Sequence, residues 1–548
     1  MHRLFLVHEL LVIICEHLHD EDDIPNTSKE ALARLARTCK AFHAVALNAL
    51  WSNLDGVAPL IQCTPAVTRL YWRLPLGTAV VGIERAPRKA EWDIIQGYAS
   101  RVQRLRVLNS LRPVEQSVIF TLSRPPINTV SPLFPNLRSL VWNDSKPQTM
   151  VLLQILCGPL LTSLTFDCSN TGTSRWDATA SPILVNVPLI CPDIKVITLP
   201  SSPPCSQILP NILLAYSHLE EVTCGEIDLV VFRHLAKQTN LRKLAFILSQ
   251  SISQSLTERP SSPHTFLRLR ELIVHTLELS SLIKFMQKLE IHPTSIRGQV
   301  DAGPTPCDMK AFFTFLTEHY VGIKPQNVSL QSLPAIRMPS VTQPPLLPPT
   351  GNHLNGGPSH AGIYGSDFMP LAQFESIDTL IIDVNCSNHL TDEDLVSLAA
   401  AWPQLRTFSI NKMHGWVVKS DITQIGLLEM LQCCPKLQTL CIAINTDTFT
   451  EVPLDRPGRG VQNMNIRALS FADSVIQPRA TTVVAAFLSD IFPRLNEVTA
   501  WKSDQMRARR DATSTDPTVY VIRWEGVSQQ IKGMIRIRQR ERRWRWSE

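Results

Sequence analysis

The sequence predicts a small all-α N-terminal module followed by an irregular α/β repeat solenoid. Three observations lead there. A chain of 548 residues is too long for a single hydrophobic core. A short phrase, apolar-x-x-apolar-x-apolar and often preceded by proline, recurs from about residue 102 to about residue 500. The first 55 residues lack that phrase and carry apolar stripes at helical spacing instead.

The N-terminal stripes come first. Leu6, Leu10, Leu11, Ile14 and Leu18 share one helical face. Asp20 to Asp23 and Pro25 break the pattern. Thr27-Ser-Lys-Glu30 reads as a capping box, in which the hydroxyl takes an orphan backbone N–H and the carboxylate reaches back. Leu32, Leu35, Cys39, Phe42 and Ala46 then predict a second amphipathic helix, and Leu50-Trp51 closes the segment with a large apolar contact. A unit of about 50 residues is marginal alone and gains from a neighbour or a partner.

In order and spacing this segment resembles the F-box family. The residues that carry the resemblance are Leu6-Val7-His8-Glu9-Leu10-Leu11, Ile14 and Leu18, then Leu35, Arg37, Cys39 and Phe42, and finally Leu50-Trp51. The family's usual proline is Val7 here, and the acidic loop after the first helix is longer. The resemblance implies docking on the Skp adaptor and, through it, on a cullin scaffold. It assigns the adaptor contact to Leu6, Val7, Glu9, Leu10, Leu11, Ile14 and Leu18, with Leu50 and Trp51 closing the module. It covers residues 1–55 and implies no chemistry by the chain itself.

The repeat phrase occupies residues 56–500. Val102, Leu105 and Val107 make a first copy. Clear copies follow at Phe134–Trp142, Gly158–Phe166 and Cys191–Leu199, with others centred on Leu219, Leu241 and Leu269. After a gap come Ile377, Trp402–Ile410, Cys434–Ile442, Ile466 and Leu495. Most neighbouring copies lie 22 to 35 residues apart, which matches or slightly exceeds the ~20–29 residues of a leucine-rich repeat. Alternating apolar positions predict a short strand with one face inward, and a repeat that cannot bury that face alone must stack on its neighbours.

The intervening segments read as helices: Thr391–Ala401, with a threonine cap and acidic first turn, Gly426–Leu431 and Val483–Ile491. Asn385 and Asn445 end two copies and are expected to satisfy backbone groups in the following turn. The block Leu390–Asn445 looks like the cysteine-containing repeats often found behind F-boxes. Residues 283–331 are expected to hold one more irregular repeat, with Phe312, Phe313, Phe315 and Leu316 on a helix.

Two segments fall outside the pattern. The stretch at about 332–367 is dense in proline and glycine, including Gln343–Pro349 and Asn355–Pro358, and reads as an exposed insert or a ligand for an SH3-type module. The tail, 501–548, sets Lys532, Arg536, Arg538, Arg540, Arg542, Arg543 and Arg545 among Trp544 and Trp546. It reads as a solvated terminal helix with both tryptophans against the last repeat; binding of RNA or an anionic membrane face is the alternative.

Composition excludes several function classes. A net charge of +5 is small for a nucleic-acid-coating protein. No stretch approaches the ~20 apolar residues of a membrane span. The 13 cysteines show no CxxC pair, and Leu4–Cys15 lacks the features of a secretory signal, so a reducing cytoplasmic or nuclear setting is expected. Asn143, Asn327 and Asn385 then match the glycosylation tripeptide by chance. No metal or cofactor is expected: Cys15, His17 and His19 share no helical face well, and Asp20 to Asp23 lack calcium-loop spacing. Phosphate-loop, HExxH, GxSxG and dinucleotide motifs are absent. The reading is a non-catalytic substrate-receptor adaptor of a Skp-cullin-F-box ubiquitin ligase. The alternatives are a scaffold without ligase coupling, or a nucleic-acid or membrane binder acting through the tail.

Overall fold

The computed structural model describes residues 7–18, 27–65, 67–73, 78–108, 114–124, 132–144, 147–166, 177–201, 203–249, 252, 266–289, 291–320, 324–333, 362–451, 456–508 and 516–545. The chain divides into two compact units, residues 1–247 with 264–268, and residues 248–263 with 269–548.

The first unit opens with three helices, α1 (His8–His17), α2 (Thr27–Ala36) and α3 (Lys40–Ser52). The single second helix expected from the spacing is therefore two helices. Its break lies at Arg37–Cys39, where the backbone N–H of Thr38 and its hydroxyl both donate to the Leu35 carbonyl, at 3.1 and 2.8 Å. A side chain that bonds the backbone locally in this way competes with continued helix. Glu30, expected to cap α2, meets Arg34 one turn on at 2.5 Å; the Thr27 side chain lies outside the described residues.

A parallel sheet follows. Among the described residues the first unit contributes Asn53–Asp55, Arg104–Leu108, Ser139–Asn143, Ser163–Phe166, Val196–Thr198, Glu221–Glu226 and Lys243–Ile247. An antiparallel hairpin, Thr68–Arg73 with Thr78–Ile83, lies between the first two of these in sequence and pairs only with itself as a ladder. The first strand belongs to the same parallel set although the repeat phrase does not announce it.

The register explains the recurring phrase. Leu54, Leu105, Leu140, Leu164, Ile197, Val222 and Leu244 are successive Cα partners across the strands. All are buried, while their strand neighbours turn outward, as in the half-buried Ser139, Val141 and Asn143. Each such side chain gains about 1.5–3 kcal/mol by leaving water, but only because the next repeat covers it.

The second unit repeats the arrangement with Glu271–Thr276, Ser295–Val300, Asn327–Ser332, Thr379–Asp383, Thr407–Ile410, Thr439–Cys441, Ala468–Ser470 and Glu497–Thr499. Its buried row runs Leu272, Ile296, Val328, Leu380, Phe408, Leu440, Leu469, Val498. Residues 283–331 thus hold two rungs rather than one. The helix between them, Pro306–His319, buries Phe312, Phe313, Phe315 and Leu316 as expected. The Pro/Gly-rich stretch overlaps described structure at both ends. Ser332 closes a strand, and Gly362–Tyr364 forms a small parallel pair with Ser387–His389. Residues 334–361, with Gln343–Pro349 and Asn355–Pro358, lie outside the described residues.

The proline of the phrase has a structural cause. The helices Asp392–Ala401, Gln424–Cys433 and Ala480–Ile491 end on the caps Trp402, Cys434 and Phe492, each followed directly by proline. Proline cannot continue a helix. The same turn follows each time, with Leu405, Leu437 and Leu495 donating back to the cap carbonyl at 3.0, 3.2 and 3.1 Å. Thr391 and Asp394 form a reciprocal capping box at the start of the first of these helices.

Cys434 shows why small sulfur residues suit this position. Its thiol points at the Ala399 and Trp402 carbonyls, both 3.5 Å away, so it covers the end of the preceding helix. Burial pushes the Cys434 thiol up to about 12, and burial likewise pushes the Cys441 thiol up to about 11. Thiolate is the reactive form. Iodoacetamide at pH 8 is therefore expected to label the exposed Cys307 first and to reach Cys434 and Cys441 only after denaturation. Mass-spectrometric mapping of the alkylated sites checks this, and native labelling of Cys434 ahead of Cys307 would contradict the packing.

The tail is a helix, Pro517–Arg545, and it is built into the second unit. Tyr520, Trp524, Val527, Ile531 and Ile535 are buried at helical spacing. Trp524 packs tilted against Phe471 at 5.0 Å, and its indole N–H donates to the Ser474 carbonyl at 2.9 Å. Arg538 reaches Asp490 at 3.3 Å and the Ser489 hydroxyl at 3.2 Å. Trp524 thus packs against the last repeats. The Trp544 and Trp546 side chains, with those of Arg542, Arg543 and Arg545, lie outside the described residues.

Candidate functional site

The N-terminal module packs around Leu11, Cys15, Leu32, Ala36, Val45 and Ala46, with Val12, Leu35, Phe42 and Leu50 against that cluster. One side of α1 supplies Leu11 and Cys15 to this core. The adjoining side is left open among the described residues: Val7, Leu10, Ile13, Ile14 and Leu18 are 41, 36, 49, 40 and 39% exposed. Glu9 is exposed on the same helix. Three large apolar side chains on this ten-residue helix and one on each of its caps form a patch of the kind that marks an interaction surface.

The expected contact residues therefore separate by role. Val7, Leu10, Ile14 and Leu18 sit on the open face. Leu11 is buried and serves the fold. Leu50 is half-buried against the core, and the Trp51 ring packs tilted against Tyr98 at 4.6 Å, so it joins the module to the helix Lys89–Ala99. Leu6 lies outside the described residues. Ile13 was not expected; the pattern 10, 14, 18 drew attention to one edge of the stripe, and Ile13 widens it.

The backbone at Val7 bears on the missing proline. Val7 caps α1 with φ −87° and ψ 110°, and its carbonyl accepts the Leu11 N–H at 3.2 Å. That extended geometry is close to what proline imposes. Valine thus keeps the turn without the ring. The module is tied to the first strands through Asp55, which Lys29 and Arg106 each reach at 2.8 Å. Burial pushes the Asp55 carboxyl up, but the two cations outweigh this and hold it below its usual range.

A model of the F-box-like family matches residues 8–56. Residues 8–56 are an F-box-like segment. No curated protein matches the chain. Two solved structures resemble it in outline. The crystal structure of the Rad7 and Elc1 complex from yeast shows 15% identity over 82% of this chain and 91% of that one, with a TM-score of 0.35. The leucine-rich repeat-containing protein LegL7 from Legionella pneumophila shows 11% identity over 77% of this chain and 97% of that one, with a TM-score of 0.25. Both likenesses are too loose to carry a function across. The F-box-like segment thus stands in front of a leucine-rich-repeat type of α/β array, whose evidence is the ladder of buried residues itself.

A second polar constellation lies in the repeats, at the C-terminal ends of neighbouring strands. Ser332 Oγ is 3.2 Å from His414 Nε2, and His414 Nδ1 is 3.0 Å from Asp383 Oδ1. This is the order of a nucleophile, base and orienting carboxylate. Asp383 also accepts the backbone N–H groups of Met413 and His414, and all three residues are buried. The adjoining cleft of about 200 Å³ touches His414 but not Ser332, leaving the hydroxyl without substrate space in it. The network pins the loop after Thr407–Ile410 to the strand before it. Asn411 completes the pin at φ 52°, accepting from Val384 N at 3.0 Å and donating to Cys386 O at 2.8 Å. Asn385 was expected in that role but is exposed. Asn445 does serve a turn, accepting from Asp447 N at 3.1 Å. Among the described residues no His, Cys, Asp and Glu group could hold a metal, and no helix is long and apolar enough to cross a membrane.

Proposed function

We propose that this chain is the substrate-receptor subunit of a Skp-cullin-F-box ubiquitin ligase, docking on the Skp adaptor through α1 and holding a protein target on its repeats. The observation that carries the reading is the open apolar face of α1 within the F-box-like match. An F-box-like module that leaves Val7, Leu10, Ile13, Ile14 and Leu18 in water has the chemistry of a surface completed by a partner. The chain performs no bond-making in this reading. Joining two binding surfaces in one chain raises the local concentration of target beside the ligase, and that supplies the rate.

The test is co-purification of the full chain with a recombinant Skp adaptor at low salt, followed by addition of the cullin scaffold. Capture of both supports the reading. Failure to capture the adaptor overturns it and leaves a repeat scaffold without ligase coupling, the alternative that Val7 in place of proline keeps open. Capture of the adaptor without the cullin limits the chain to a smaller assembly.

A further inference from the structure

The C-terminal helix, while packing inward through Trp524 and Ile535, leaves a groove of about 430 Å³ between itself and the last two repeats. Four cations line it: Arg467, Arg494, Lys532 and Arg536. Arg467 directly precedes the strand Ala468–Ser470, and Arg494 follows the proline of the last repeat turn. The register fixes their spacing, because Arg467 O accepts the Asn496 N–H at 2.8 Å. Lys532 and Arg536 stand one turn apart on the helix, hence on one face.

All four are exposed, and among the described residues Arg467, Arg494 and Arg536 have no side-chain partner. Glu497, next in sequence to the lining residue Asn496, is paired with Lys502 at 2.7 Å, and its carboxyl is held below its usual range by Lys502 and also by Lys532. This differs from Arg538 on the same helix, which is spent on Asp490. Like charges gathered beside an acid that is already paired repel one another, and the fold keeps them together because their backbones are set by packing. Such a site gains most from a ligand that brings anions.

We infer that this groove binds an acidic segment of a protein, its carboxylates or phosphates meeting the guanidinium groups of Arg467, Arg494 and Arg536 and the ammonium of Lys532. Guanidinium forks match carboxylate and phosphate oxygens in paired hydrogen bonds. The remaining lining suits a peptide: Asn496 offers an amide to backbone groups, and the floor is made by Leu495 and Ile535. No aromatic ring lines the groove, so it lacks the platform on which single-stranded nucleic acids stack their bases. The inference rests on the chain being a receptor for protein targets but not on adaptor docking, so the two can fail separately.

The experiment is fluorescence anisotropy with the full chain, without adaptor, against three labelled peptides: one glutamate-rich, one phosphoserine-rich and one glutamine-rich of equal length. The acidic peptides are expected to bind at least about tenfold more tightly than the neutral one, and Arg494→Glu/Arg536→Glu to remove at least that factor. Which acidic peptide binds more tightly separates carboxylate from phosphate as the source of charge. A control, Arg242→Glu/Arg297→Glu, changes net charge equally at exposed positions elsewhere and is expected to keep binding. Should the groove variant melt early, Arg494→Gln/Arg536→Gln is measured instead. Equal binding of the three peptides, or equal losses in groove and control variants, overturns the assignment. So does an oligonucleotide that binds more tightly than either acidic peptide and is lost on the same substitution; it would make the groove a nucleic-acid site.

Discussion

Leu10→Asp/Ile14→Asp is expected to abolish capture of the Skp adaptor while leaving the chain folded. Both side chains are over a third exposed on α1, so a carboxylate there stays in water when the chain is free. In a complex it would be buried against an apolar partner. Each buried apolar anchor of an interface is worth about 2 kcal/mol or more, so the pair should weaken binding by a factor on the order of a thousand. Surface changes of this kind shift stability by roughly 0.5 kcal/mol or less. Leu11→Asp is the contrasting variant. Leu11 is 3% exposed within the module core, and an unpaired carboxylate there costs several kcal/mol. It should lose adaptor binding through unfolding of the F-box-like segment, seen as early proteolysis or loss of helical signal. The pair of measurements is affinity and melting. Full adaptor binding by a folded Leu10→Asp/Ile14→Asp chain would remove α1 as the docking face.

Removing residues 517–548 is expected to destroy the second unit rather than trim it. The helix Pro517–Arg545 covers the last strand, where Val498 N donates to Ser528 Oγ at 3.1 Å. It buries five large side chains of its own, each worth about 1.5–3 kcal/mol. Together that is comparable with the roughly 5–15 kcal/mol that holds a typical domain folded. Truncation would also deprive the buried Asp490 of Arg538. Repeat arrays need a closing element with a polar outer face, and this helix supplies it. The truncated chain should be insoluble or should melt well below the intact one. Trp524→Ala is the milder form and should cost about 3–5 kcal/mol. An unchanged urea transition after truncation would show that the last repeats close themselves. Loss of binding after deleting the tail therefore says nothing about its charges, which is why the groove is tested by substitution.

Much of the architecture was legible because the phrase reports a physical period. Leu105, Leu140, Leu164 and Leu440 are buried for the same reason, and their spacing betrays it. Two strands of the parallel row escaped for definite causes. In Ser295–Val300 the second apolar position is Gly298, where a Cβ would meet Leu282 Cδ2 and Leu330 Cδ1 at 2.8 Å; neighbours fill the place, so the phrase is blank there. Asn53–Asp55 has only three residues, and Leu54 is masked by Leu50-Trp51 beside it. The candidate docking site was legible by family pattern but not by face. Leu10 and Leu11 are equally apolar in sequence, and only the positions of α2 and α3 decide which of them meets water. The basic groove was hidden for a similar reason, since Arg467 and Arg494 join the tail cations only when the last helix folds back.

The strand Asn327–Ser332 pairs directly with Thr379–Asp383, Val328 opposite Leu380 and Leu330 opposite Ile382, although the stretch from Leu333 to Gly362 lies between them in sequence. Among the described residues five consecutive pairs, Asn327 with Thr379 to Gln331 with Asp383, hold the two strands in register. Lengthening a closed loop costs only about 0.6 kcal/mol per doubling, far less than the packing of one buried rung. An insertion within residues 334–361 is therefore expected to be tolerated. A fluorescent protein or an affinity tag inserted there would leave the register, the docking helix and the C-terminal cover as they are, and such a labelled chain could be followed through assembly and target capture.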